Sequence, residues 1–283
     1  MQKMGKMKKT AALVMGIAFP LLHIVLQRMV YVVFYWVIYS IKRASSQGVS
    51  EEILSNQMQA ALNNSSVWRV SVTALIFLLV SALLLSRTRK ITLNADERVA
   101  RINIISALPC LLLIGLGLYL TLDGLFKGLP VPREWVEGAS KSASRLSAAG
   151  FSAQIIGVFI LAPIAEEIAY RGLCLPYLRR GFALPAAVIF QAALFGFFHG
   201  EKLQMIYAFA AGLILGVVFI ICGSVWAPII VHMVFNGIGI VFMSTRISLH
   251  SGFWIATSGI GLILLILPLR YLLLKKPDCA IDT

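Results

Sequence analysis

The chain has 283 residues, of which 59% are hydrophobic and 13% charged, with a formal net charge of +13. A soluble domain carries about 25% charged and about 45–50% apolar residues, so a water-soluble globule is excluded, as is a disordered chain, which needs low hydrophobicity. The Lys and Arg residues stand between apolar runs, the pattern of a polytopic membrane protein, so the lipid bilayer is the expected partner and nucleic acid is not.

In chain order, Lys3, Lys6, Lys8 and Lys9 precede an apolar run over 11–39. That run exceeds the roughly 7–15 residues of a signal-peptide h-region and ends in no clean cleavage site, so it reads as a retained first span. It contains His23 and Arg28. Polar residues within spans face the bundle, so a tilted helix with both turned inward is expected, with substrate contact as the alternative. Further runs follow at 67–86, 102–122, 151–170, 183–199, 204–222, 225–243 and 252–274. At about 20 residues per crossing, the expected fold is an all-α polytopic membrane protein with about eight transmembrane helices. The excess of Lys and Arg on the side of the two ends predicts that both termini are cytoplasmic. The polar stretches 40–66 and 123–150 hold possible short helices but no separate domain.

The chain divides into an N-terminal three-helix region (1–150), a central part that carries the chemistry (151–243) and a last helix with its tail (244–283), all one membrane-embedded unit. The spans do not fall into two matching halves, which weakens a transporter reading. Ala208, Gly212 and Gly216 recur every four residues, a pattern for close helix packing rather than chemistry. Cys110, Cys174, Cys222 and Cys279 show neither C-x-x-C spacing nor a C-terminal prenylation box.

Twelve residues are acidic, and the two inside apolar runs are adjacent: Glu166 and Glu167, in LAPIAEEIAYRG. A charged carboxylate at mid-bilayer costs about 2.5–3.5 kcal/mol on insertion scales, and two together cost more. Such a pair persists with partners or with a task. Arg171 lies one turn beyond Glu167 on the same face and is its natural ion-pair partner, which leaves Glu166 free. His199 with Phe195, and His232 with Asn236, stand at the same four-residue spacing in two other apolar runs. A lone histidine there is usually a packing residue. Two His, an Asn and a double Glu in separate spans point to one shared interior site. A carboxylate in an apolar pocket serves as a general base, a histidine beside it can hold the same water, and a second His with a carboxamide can stabilise an oxyanion. H-E-x-x-H is absent, so a zincin is unsupported. The reaction class is activated-water hydrolysis of an amide.

The three motifs are E-E-x-x-x-R (Glu166, Glu167, Arg171), F-x-x-x-H (Phe195, His199) and H-x-x-x-N (His232, Asn236). In this order and spacing the sequence resembles the CPBP family, the CAAX-protease and bacteriocin-processing intramembrane endopeptidases. The resemblance covers about 151–243. It implies that Glu166 and His199 activate water, that His232 and Asn236 stabilise the oxyanion, and that Glu167 and Arg171 support the geometry, Glu167 sharing the base role if needed. Glu166, His199 and His232 are candidate ligands for a divalent metal such as zinc. The implied substrate is a membrane-associated peptide or protein, either prenylated or of leader or bacteriocin type. The alternatives are a non-catalytic partner or self-immunity protein on the same scaffold, and a proton-coupled transporter. The expected location is the plasma or inner membrane of a bacterium. For Glu166 to reach the depth of His199, the fourth helix has to continue towards Arg179.

Overall fold

The computed structural model describes residues 7–46, 48–88, 102–245 and 253–275. These are helical throughout, with no strand among the described residues. The helices are α1 (Lys9–Ser45), α2 (Glu51–Asn64), α3 (Ser66–Thr88), α4 (Ile104–Gly128), α5 (Arg133–Ser147), α6 (Phe151–Leu178), α7 (Leu184–Phe197), α8 (Lys202–Cys222), α9 (Trp226–Thr245) and α10 (Trp254–Leu274). Seven of them, α1, α3, α4, α6, α8, α9 and α10, are long and apolar enough to cross a membrane. The protein is thus a multi-pass, all-helical membrane protein. The short helices α2 and α5 occupy the polar stretches between spans. Ser50 caps α2, its hydroxyl accepting from the Ile53 N–H, and Asn103 caps α4 by accepting from the Ile105 N–H.

Two expected spans differ in length from their apolar runs. The run at 183–199 forms only α7, 14 residues long. It begins after Ala183 with Pro185 in its first turn and gives way at Phe198 to a turn at Gly200, whose φ is +84°. At 1.5 Å per residue α7 rises about 21 Å, short of the roughly 30 Å hydrocarbon core. The run at 151–170, by contrast, continues to Leu178 as one 28-residue helix. That continuation is what brings Glu166 to the depth of the polar end of α7.

Helix α6 is not uniform. It widens into π turns at Ile155–Leu161 and Ile168–Cys174. At the end of each, an N–H bonds five residues back: Ala162 to Gly157, and Leu175 to Tyr170. In both cases the next residue is proline, Pro163 or Pro176. Proline has no N–H to donate, so each wide turn ends with a carbonyl, that of Val158 or Arg171, beyond the reach of the helix's own ladder.

The tightest packing in the bundle is between α4 and α10. A Cβ on Gly117 would lie 2.6 Å from the Leu265 nitrogen, and one on Gly261 would lie 2.5 Å from the Thr121 nitrogen. Backbone touches backbone, as small residues allow inside a membrane, where van der Waals contact replaces the hydrophobic drive. Gly259, on another face of α10, has open space around it. Gly261→Ala is therefore expected to lower the stability of the detergent-solubilised protein by about 1–3 kcal/mol, the usual cost of overpacking, whereas Gly259→Ala leaves it unchanged. Thermal unfolding of the two variants side by side checks this.

Candidate active site

The site is built around α6. Glu166 and Glu167 lie on the ordinary helical stretch Ala162–Glu167, between the two wide turns. Successive residues on a helix are turned about 100°, so the two carboxylates face different ways. Glu167 points into the protein, where Arg171 Nη1 donates to its Oε1 at 2.8 Å, and both side chains are 0% exposed. The second arm of the guanidinium, Nη2, donates to the Gly212 carbonyl of α8 at 3.0 Å. Gln191 of α7 donates to the same carbonyl at 2.9 Å. The stripe of small residues on α8 makes this meeting possible. A Cβ on Gly212 would sit 3.1 Å from Ala192 Cα, and one on Gly216 would sit 2.9 Å from Gln191 Nε2.

His232 of α9 joins the two glutamates. Its Nδ1 lies 2.8 Å from Glu167 Oε1, so the ring nitrogen donates to the ionised carboxylate. Its Nε2 lies 3.9 Å from Glu166 Oε2. Glu166 itself keeps 18% of its side chain exposed. Two atoms 3.9 Å apart can both touch a third at the usual ~2.8 Å, so one water can bridge them. Asn236, one turn beyond His232, donates from Nδ2 to the Val158 carbonyl at 2.9 Å. This is the carbonyl that the wide turn and Pro163 leave without a helical donor, and the carboxamide supplies the missing bond. Phe195 is the fully packed centre of the group. Its ring carries the Arg171 guanidinium carbon 4.6 Å from its centroid. It also meets the rings of His199 and His232 at 4.7 and 5.8 Å.

His199 lies not within α7 but two residues past its end, and it is exposed. Its Nδ1 is 2.6 Å from the Phe195 carbonyl, which can only accept. Nδ1 therefore carries a proton, and in the neutral ring Nε2 holds the lone pair. His199 and Glu166 line one cavity of about 180 Å³ together with His23, Ile24, Gln27, Tyr170 and Phe198. Three segments thus form the cavity: α1, the middle of α6 and the turn after α7.

Three of its polar residues were not among the expected site residues: His23, Gln27 and Tyr170. His23 and Gln27 stand four apart on α1, the same spacing as His232 and Asn236, and this was the available signal. The expectation that His23 and Arg28 both face the bundle holds for His23, which is 5% exposed, and not for Arg28, which is exposed. Residues five apart on a helix are turned about 140° from each other, so both cannot point inward.

Among the described residues, no three His, Cys, Asp or Glu side chains are grouped as ligands of one metal ion. His232 has committed Nδ1 to Glu167, which leaves its Nε2 on the side of Glu166.

Residues 148–238 match the family model described as "Type II CAAX prenyl endopeptidase Rce1-like". The matched segment contains all three motifs, and its description agrees with the CAAX-protease resemblance seen in the sequence. No curated protein and no solved structure matches the chain.

Two substitutions test how the site is held. Arg171→Lys keeps the charge but loses the two-armed link from Glu167 to Gly212, and the unfolding midpoint in detergent is expected to fall by the equivalent of about 1–3 kcal/mol, the cost of a buried polar group left unmatched. Asn236→Ala orphans the Val158 carbonyl and is expected to cost about 1–3 kcal/mol for the same reason. A midpoint unchanged in either variant would show that the bond it removes bears no part in holding α6.

Proposed function

We propose, from the match of residues 148–238 to the Rce1-like CAAX prenyl endopeptidase model, that this chain is an intramembrane endopeptidase. It hydrolyses a peptide bond near the end of a membrane-associated, prenylated-tail-like peptide. The observation that carries the reading is that Glu166 and His199, from separate segments, line one small polar cavity inside an apolar helical bundle.

In this mechanism water sits between Glu166 and the unprotonated nitrogen of His199. Glu166 takes a proton as the water oxygen bonds to the carbonyl carbon. The electron pair of the C=O bond moves to oxygen. On collapse the C–N bond breaks, and the proton held by Glu166 passes to the leaving nitrogen. Glu167 and Arg171 stay out of the reaction. Glu167 fixes His232 with Nδ1 protonated, so that its Nε2 faces Glu166. Charge on Arg171 balances charge on Glu167. Asn236 holds the backbone of α6 in register about two turns before the base. The Phe195 ring packs against Arg171, His199 and His232 and holds them in place.

The test is turnover of an S-farnesylated CAAX peptide, with a quenched fluorophore across the scissile bond, by the purified chain in proteoliposomes. Glu166→Gln keeps the shape of the side chain but removes the base, and turnover is expected to fall by about 10²–10⁴-fold, the range general bases contribute. A wild-type chain that leaves the peptide uncut, or a Glu166→Gln variant as active as wild type, would overturn this reading.

A further inference from the structure

The polar face of α1 continues beyond the cavity. His23 and Gln27 line it, and Tyr31 follows one turn on. Helices α1 and α3 run antiparallel here. His23 packs on Phe77, with ring centroids 5.0 Å apart. Eight residues forward in α1 and eight back in α3, the Arg69 guanidinium carbon lies 5.2 Å from the centroid of the Tyr31 ring. Eight helical residues rise about 12 Å, so Arg69 stands about that far from the His23 layer, towards the end that carries α2 and α5. A second contact gives a similar depth. A Cβ on Gly157 of α6 would meet Val67 and Ser71 of α3 at 2.6 Å, which puts Arg69 level with Gly157. Glu166 lies nine residues, or about 14 Å, farther along α6. Arg69 is partly buried, and its Nη1 donates to the Leu62 carbonyl at 2.6 Å and to Ser65 Oγ at 2.7 Å. These bonds and the Tyr31 ring fix the guanidinium plane. They leave the Nε–Nη2 edge, the two-donor fork that matches a carboxylate. Ser66 Oγ donates to the Arg145 carbonyl at 3.0 Å, so α5 brings a second arginine to the same corner. Among the described residues neither arginine is paired with a carboxylate.

We infer that Arg69 binds the free C-terminal carboxylate of the substrate, through its Nε–Nη2 edge, and so sets the cut at three residues from the chain end; the inference rests on the peptidase reading above. In a C-a-a-X tail three residues follow the prenylated cysteine. Three extended residues span about 10 Å, and one hydrogen-bond length at the fork brings the reach to about 13 Å. This matches the separation of Arg69 from the Glu166 layer. The peptide end then runs along the face of α1 from Gln27 to Tyr31. Its charge stays at the polar end of the bundle, where α2 and α5 lie, and is not carried into hydrocarbon. A guanidinium already held by Leu62, Ser65 and Tyr31 has little side-chain freedom left to lose on binding. Arg145 adds positive charge beside it, which favours an anion over a neutral end. Tyr31, Arg69 and Arg145 all lie outside the segment that matches the family model.

The experiment uses the full chain in proteoliposomes, with Glu166→Gln run in parallel. The same farnesylated peptide is offered in two forms, one ending in a free carboxylate and one in a carboxamide. We expect wild type to cleave the acid with a kcat/KM about 10–100-fold above that of the amide, the worth of a hydrogen bond to a charged group. In Arg69→Gln the acid is expected to lose that factor, while the amide is cut within about threefold of wild type. Arg69→Lys keeps the charge and a donor for the Leu62 carbonyl but has no fork, and its preference for the acid is expected to fall at least about threefold. A free acid lengthened by two residues, which moves the carboxylate about 7 Å, is expected to be cut no better than the amide. Equal cleavage of acid and amide by wild type, with Glu166→Gln inactive, overturns the carboxylate site and leaves the peptidase reading standing. So does full wild-type preference in either Arg69 variant, or a lengthened acid cut as well as the short one. Equal losses on acid and amide in Arg69→Gln also overturn it, by showing that Arg69 only holds α2 and α3 together. An active Glu166→Gln variant, or a wild type that cuts neither form, overturns the peptidase reading itself and the carboxylate site with it.

Discussion

Everything at the centre of this protein depends on one buried ion pair. Glu167 and Arg171 are fully enclosed, and a single carboxylate oxygen accepts from both the guanidinium and His232. The other arm of the guanidinium reaches the backbone of α8. Three helices are therefore tied through five atoms. In a bilayer the helices have no hydrophobic reason to choose one neighbour over another, since lipid tails are as apolar as their side chains. A buried charged link supplies that choice, because any other arrangement leaves a charge uncompensated in hydrocarbon. The pair thus contributes uniqueness of arrangement more than net stability, and the reacting groups are attached to its rim.

The wide turns of α6 extend the same logic to the backbone. A proline in a membrane helix is tolerated where a neighbour satisfies the carbonyl it frees. At Pro163 the neighbour is Asn236, so a potential defect in α6 is bonded directly to α9. The two glutamates sit between this bond and the second wide turn. Their positions along the axis are set from one side by a side chain of another helix and from the other by Arg171.

Much of this was legible from residue types alone. Glu167 and Arg171 announce their pairing by helical phase, and Glu166 its freedom by the same argument. The expectation that α6 runs on towards Arg179 followed from requiring Glu166 and His199 to meet in depth. What stayed hidden depended on backbone or tertiary detail. Apolar composition counts residues but not hydrogen bonds, so the run at 183–199 looked like a crossing although the chain leaves its helix before His199. The carboxamide of Asn236 is a general-purpose donor, and only the proline next to Ala162, seen together with the widened turn, shows where it is spent. His23 carried the right residue type at the right spacing. Its place in the cavity follows from Gly16 against Leu178, a contact between residues far apart in the chain.

The shortness of α7 has a consequence for the supply of the second reactant. A helix of 14 residues falls roughly 9 Å short of the hydrocarbon thickness. Hydrophobic mismatch of this kind is met by thinning of the bilayer beside the short element or by flanking polar residues that reach for the interface. The end of α7 carries Phe198, His199, Gly200, Glu201 and Lys202, a sequence in which three of five residues demand hydration. Thinning at this end brings the membrane surface closer to the cavity that His199 lines. A short helix thus shortens the path that the attacking water has to travel to reach the carboxylate.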